Sequence, residues 1–195
     1  MKNTKSPTAI IFLLLFLLAA LFVFNLLQKE YTLQKYPLPE EYLTYIEKYS
    51  KEYDIPVDLL CAVINTESSF DPSARSHADA YGMMQITEET FNWLQFKMGI
   101  SGTYTADRLY DPEINIHFGA YFLHLLYAEF QDCDTVLAAY NAGRGRVLTW
   151  LGDPNVSENG KLVNIPYKET RDYIKKVNNA RIKYQELYFK ENISE

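Results

Sequence analysis

The sequence predicts a mainly α-helical protein, one domain with a small irregular or β segment, standing behind an N-terminal transmembrane helix. Three observations carry this. Residues 9–27 form an uncharged run of mostly Leu, Phe, Ala, Ile and Val. From residue 40 onward, apolar residues recur at the i, i+3, i+4, i+7 spacing that puts them on one helix face. Between these stretches stand the helix breakers Asp54-Ile55-Pro56, Asp71-Pro72, Asp111-Pro112 and Gly143. With 195 residues the chain has room for one domain of ordinary size and an appendage.

The N-terminal run spans about 28 Å as a helix, close to the ~30 Å of a bilayer hydrocarbon core. A cleaved signal peptide has a shorter apolar stretch that ends at small residues. Here Ala19-Ala20 lies inside the run, which closes on Phe24-Asn25-Leu26-Leu27-Gln28-Lys29, so an uncleaved anchor is expected. No Cys follows the run to accept a lipid. Lys2 and Lys5 on the short N-terminal side place the remainder on the extracytoplasmic face of the cell membrane as a single-pass protein, with Lys29 and Lys35 weighing slightly against it. The expected division is residues 1–30 for stub and anchor, 31–39 for a linker ending in Pro37-Leu38-Pro39, and 40–190 for the domain.

Residues 40–53 read as a helix with Tyr42, Tyr45, Ile46 and Tyr49 on one face. Pro56 starts the next, where Leu60, Val63, Ile64 and Glu67 share a face. A carboxylate there occupies a position where an apolar residue belongs, and burial among apolar neighbours would hold its proton toward neutral pH, as a general acid requires. The alternative is a helix-end carboxylate that turns to solvent or meets an Arg. Residues 73–81 are small and polar, hence a loop. Thr87-Glu88-Glu89 opens a helix reaching about Met98, with Phe91, Leu94 and Met98 inward. Residues 99–110 are irregular, with room for a short β-hairpin. Asp111-Pro112 has cap and first-turn chemistry for a helix to about Phe130. Its apolar residues, Ile114, Phe118, Tyr121, Phe122, Leu125 and Leu126, cover more than half the circumference, which suits a central helix. Residues 134–142 form a further helix, 146–151 a short turn, 152–166 a loop, and 168–189 the last helix.

A net charge of −6 argues against a nucleic-acid partner, which calls for a basic face. The 16 Tyr favour a hydroxyl-rich ligand, although core and surface packing accounts for most of them. Cys61 and Cys133 sit in apolar helical patterns, and two buried free thiols are expected over a disulfide. Two Cys and three scattered His show no metal-ligand spacing, and neither Cys has a His near it in sequence.

Several motifs follow Glu67 in order: Glu67-Ser68-Ser69-Phe70-Asp71-Pro72, then Ser76, Gly82-Met83-Met84-Gln85, Ala139-Tyr140-Asn141-Ala142-Gly143, and Ile165-Pro166-Tyr167-Lys168-Glu169-Thr170-Arg171-Asp172-Tyr173. Each is common alone. Together, over about residues 40–185, they closely resemble the catalytic domain of the soluble lytic transglycosylase family, which cleaves bacterial peptidoglycan. The resemblance implies a lysozyme-like fold, peptidoglycan glycan strands as the partner and no cofactor or metal. It also implies Glu67 as the single catalytic acid, with Ser76, Gln85, Tyr140, Asn141, Glu169 and Tyr173 contacting substrate. The family reaction forms 1,6-anhydroMurNAc without water, so one carboxylate serves where ordinary glycosidases use two. Asp79 departs from the Gly common in the family. A second carboxylate in that loop resembles goose-type lysozymes, so a muramidase hydrolysing the same bond is an alternative, as is a non-catalytic peptidoglycan-binding protein. A solvated turn is the ordinary role for such an Asp. An anchored enzyme of this kind would suit growth, spore formation or a cell-wall-spanning assembly.

Overall fold

The computed structural model describes residues 7–190. They fall into two compact units that divide after Pro37. The first is helix α1, Pro7–Lys35. From Ile11 onward it is long and apolar enough to cross a membrane, and Phe12, Phe16, Leu18 and Phe22 are all exposed. Lys2 and Lys5 lie outside the described residues.

The second unit is mainly helical. Helices α2 (Glu40–Tyr53), α3 (Val57–Ser68), α4 (Glu88–Lys97), α5 (Pro112–Phe130), α6 (Cys133–Ala142), α7 (Arg144–Leu151) and α8 (Lys168–Tyr188) follow in order. Side-chain caps set three of the starts. Asp111 accepts from the N–H of Glu113 and Ile114, Asp132 from Thr135, and Thr87 from Thr90. Each cap satisfies donors that the first helical turn leaves open. Left-handed residues Asp54 and Ser69 end α2 and α3.

Helix α3 packs mainly on α8, α2 on α5, and α6 on both α5 and α8. Ile46, Leu59, Leu60, Ile64, Phe91, Phe118, Leu126, Leu137 and Val177 are buried between these helices. The broad apolar face read for α5 has the expected cause, since α2, α4 and α6 all cover it. The α3–α8 pair is antiparallel and fastened at its far end. Asp58, in the first turn of α3, accepts from Arg181 Nε at 2.7 Å and Gln185 Nε2 at 2.5 Å. Asp58→Ala strands a part-buried guanidinium, and a loss of about 2–3 kcal/mol is expected in chemical denaturation.

Four local expectations are corrected. Residues 99–110 hold turns and a 3₁₀ helix, Ala106–Tyr110, and not a hairpin. The hairpins are β1–β2 (Ala80–Tyr81 with Ile86–Thr87) and β3–β4 (Ser157–Glu158 with Lys161–Leu162), whose two-residue strands are too short to show a period. Residues 144–151 form a full helix, because Gly143 at φ 92° lets the chain restart immediately after α6. Both cysteines are free, but Cys133 is only half-buried, at the first residue of α6.

Candidate active site

Glu67 stands in the last turn of α3, half-buried, on the wall of a cleft of about 290 Å³. Ser76, Gln85, Tyr140, Asn141 and Glu169 line the same cleft. Tyr173 lines an adjoining depression that shares Glu67, Asn141 and Glu169 with it. The structure thus brings all seven residues singled out in the sequence to one continuous region. They come from α3, the loop around β1–β2, the end of α6 and the start of α8.

Burial pushes the Glu67 carboxyl up to about 7, and only the nearby Tyr173 hydroxyl opposes the shift. Among the described residues, no cation contributes to it. That hydroxyl is itself buried and makes no hydrogen bond of ordinary geometry, so it faces Glu67 as a donor still free to tighten. Burial and the Glu67 charge together raise the tyrosine's own pKa well above its ordinary value. Tyr173→Phe removes the group that opposes the shift. The alkaline limb of the pH–rate profile is therefore expected to move to higher pH, with the maximal rate reduced, as steady-state assays across pH would read.

The loop before α4 is held by backbone contacts. Asn115, buried on α5, accepts from Met84 N–H at 2.7 Å and donates to the carbonyls of Tyr81 at 2.9 Å and Leu109 at 2.8 Å. Ser68 donates to Met83 O, and Tyr140 donates to Met84 O, both at 2.8 Å. Tyr140 therefore presents its ring to the cleft, its proton being engaged by the loop. Burial, and secondarily Glu67, raise its pKa. Gly82 has φ 69°, and a Cβ there would lie 2.1 Å from Leu109 O, so no other residue fits this turn.

Ser76 Oγ accepts from the N–H of Ala78 and of Ala80, which turns its own hydrogen outward as a donor. Gln85, in left-handed conformation at φ 49°, donates its amide to Gly82 O and Ala74 O. Glu169 is exposed in the first turn of α8. Asp79 is not among the cleft residues. Its Oδ1 accepts from both Nε and Nη2 of Arg75, at 3.1 and 2.7 Å, on the exposed side of the loop. Among the described residues, no group of three or more His, Cys, Asp or Glu is arranged to hold a metal ion.

The cleft also contains residues that sequence reasoning missed. Thr90 and Phe122 line it, and Phe122 was read only as core. An aromatic on a helix with a wide apolar face carries no local mark separating core from cleft wall.

Comparison with known proteins gives a consistent result. The family model for the transglycosylase SLT domain matches residues 44–163. The chain is 34% identical over 147 residues to the soluble lytic murein transglycosylase of Escherichia coli strain K12, covering 74% of this chain and 22% of that protein. It is 32% identical over 173 residues to the membrane-bound lytic murein transglycosylase C of Edwardsiella ictaluri, covering 75% and 47%. Among solved structures, the 70 kDa soluble lytic transglycosylase of E. coli superposes with a TM-score of 0.70 at 31% identity, over 80% of this chain and 25% of that one. An inactive mutant of the lytic transglycosylase Slt from Pseudomonas aeruginosa gives 0.67 at 29%, over 79% and 25%. The chain thus spans between about a fifth and a half of the length of these curated relatives. The matched segment contains Glu67 and the cleft loop, and the chain belongs to the transglycosylase SLT domain family.

Proposed function

We propose that this protein is a peptidoglycan lytic transglycosylase that cuts the MurNAc-β-1,4-GlcNAc bond and leaves a 1,6-anhydroMurNAc end, with Glu67 acting first as acid and then as base. The observation that carries the reading is a half-buried carboxyl beside a sugar-sized cleft, protonated up to about pH 7 with no cation paired to it among the described residues. In the first step Glu67 gives its proton to the bridging oxygen and the C1–O bond breaks. The N-acetyl group of MurNAc stabilises the cationic centre. In the second step the Glu67 carboxylate takes the proton of the MurNAc 6-hydroxyl, whose oxygen bonds C1. One bond breaks, one forms and the acid is regenerated, with no water consumed. Ser76, Gln85, Tyr140, Asn141, Glu169 and Tyr173 hold the sugars in position for this ring closure.

The arrangement of Asp79 favours the lyase over the muramidase reading, because the Arg75 pairing keeps that carboxylate out of the cleft where it would have to activate water. Mass spectrometry of muropeptides released from purified sacculi tests the choice. The anhydro end lacks one water relative to the hydrolysed end, and a product consisting only of hydrolysed ends refutes the lyase assignment. The acid must carry its proton in the free enzyme, so kcat/KM is expected to fall as pH rises through about 7. A rate still rising at pH ~9 would exclude Glu67 as the acid.

We also infer that α1 anchors the protein in the membrane with the SLT unit on the extracytoplasmic side. Its length and apolarity and the Lys2 and Lys5 stub support this. Protease added outside intact spheroplasts should digest the SLT unit, and full protection reverses the topology.

A further inference from the structure

Helix α1 carries one seam that differs from the rest of its surface. Ile11, Leu18, Asn25 and Thr32 stand seven residues apart, and Leu14, Leu21 and Gln28 follow the first three of them at a distance of three residues. This is the a/d pattern of a two-stranded coiled coil. The rings of Phe12, Phe16, Phe22 and Phe24 all fall outside it, so the seam is aliphatic until it reaches two carboxamides. Leu14, Leu18 and Leu21 are exposed. Helix α1 belongs to a compact unit of its own, and the described residues of this chain supply no cover for the seam.

Asn25 points to what covers it. The residue lies inside the uncharged run that ends at Leu27, where hydrocarbon offers an amide no partner. Its Nδ2 donates to Leu21 O of the same helix at 3.0 Å, which turns the carboxamide back toward the apolar part of the helix and away from Lys29. One N–H and the Oδ1 oxygen are left over, a donor and an acceptor. That set is self-complementary, because an identical carboxamide at the same depth closes two reciprocal hydrogen bonds with it. Copies of one chain inserted with the same topology run parallel and place Asn25 opposite Asn25. In parallel coiled coils a single Asn at an a position sets register and strand number. Lipid tails are as apolar as Leu, so interhelical hydrogen bonding and close aliphatic packing are what hold helices together in a bilayer.

We propose that α1 pairs with α1 of a second copy along Leu14, Leu18, Leu21 and Asn25, so that the protein works in the membrane as a parallel dimer carrying two SLT units. The proposal rests on the anchor reading of α1 and is independent of the chemistry assigned to Glu67.

The test uses the purified full chain in liposomes, with donor and acceptor dyes on the C-termini. Energy transfer should rise linearly with acceptor fraction, as a dimer requires. Asn25→Leu should move the dissociation midpoint about tenfold toward higher protein-to-lipid ratio. Asn25→Gln, which keeps a carboxamide, and Phe16→Leu, off the seam, should leave the midpoint in place. In a Cys61→Ala, Cys133→Ala background, Leu14→Cys, Leu18→Cys and Leu21→Cys should cross-link on oxidation and Phe16→Cys should not. A chain that is monomeric at every ratio, an unchanged midpoint in Asn25→Leu, or cross-links without the seven-residue period overturn the pairing. Monomers in liposomes that cross-link only to other proteins in native membranes give the seam to a different partner and overturn it as well. Release of the chain from membranes by alkaline carbonate removes the anchor reading and the pairing with it, whereas a chain that resists carbonate yet stays monomeric overturns the pairing alone.

Discussion

Glu67→Gln should abolish muropeptide release and at the same time make the protein harder to unfold at neutral pH. The amide keeps the shape of the side chain but has no proton to donate, and loss of a positioned acid lowers rates by about 10²–10⁴-fold. The stability gain follows from linkage. In the folded protein the carboxyl holds its proton up to about pH 7, against 4.5 for an ordinary Glu. Between those values the folded state binds more protons than the unfolded one, so stability falls as pH rises through this window. It is fully present below about pH 4.5 and has been lost once pH passes about 7. Gln carries no such titration. The variant's advantage should therefore be near zero in acid and grow to about 1–3 kcal/mol at neutral pH, a rise of a few degrees in Tm. Paired melts at the two pH values read it directly. Activity of the Gln form equal to that of the unaltered chain on sacculi would end the mechanism proposed for Glu67.

Asn115→Leu should be the most damaging change outside the cleft. The Leu is of similar size but cannot serve Met84 N–H, Tyr81 O or Leu109 O, and the first and last of these contacts are buried. Leaving several buried backbone groups without partners is expected to remove about 3–5 kcal/mol. For a chain of this size that is a fall of about 10 °C in Tm. Activity should fall further than stability alone predicts, because the same loop carries Ser76 and Gln85. Gly82→Ala meets the same Asn115 amide from the other side, at 2.4 Å, and should mimic the substitution. An Asn115→Leu protein melting within a degree of the unaltered chain would show that the loop is held by Ser68 and Tyr140 alone.

The helical frame was legible because its signals are local. Asp111-Pro112 marks its helix start within two residues, and a charge on an apolar stripe marks Glu67 without knowledge of anything packed against it. The cleft wall was less legible. Phe122 is an ordinary apolar residue on a helix, and only the meeting of α4, α5 and α6 turns its outer edge into the floor of a groove. Tyr140 shows a third case: the sequence motif marks the residue, but its proton is directed by Met84 O, a partner far off in the chain. The hairpins escaped because two-residue strands leave too few positions for alternation, and α7 because Gly145 within Arg144-Gly145-Arg146 masks a helix that Gly143 makes possible.

Helices α3 and α8 are pinned at one end by Asp58 with Arg181 and Gln185, and toward the other end Glu67 lies beside the Tyr173 hydroxyl. Sliding one past the other by a turn would break the ion pair, so the register that sets Tyr173 beside the acid already exists in the resting protein and needs no ligand to establish it. An ionisation constant read for this carboxyl by NMR on the empty enzyme should accordingly coincide with the one that governs kcat/KM.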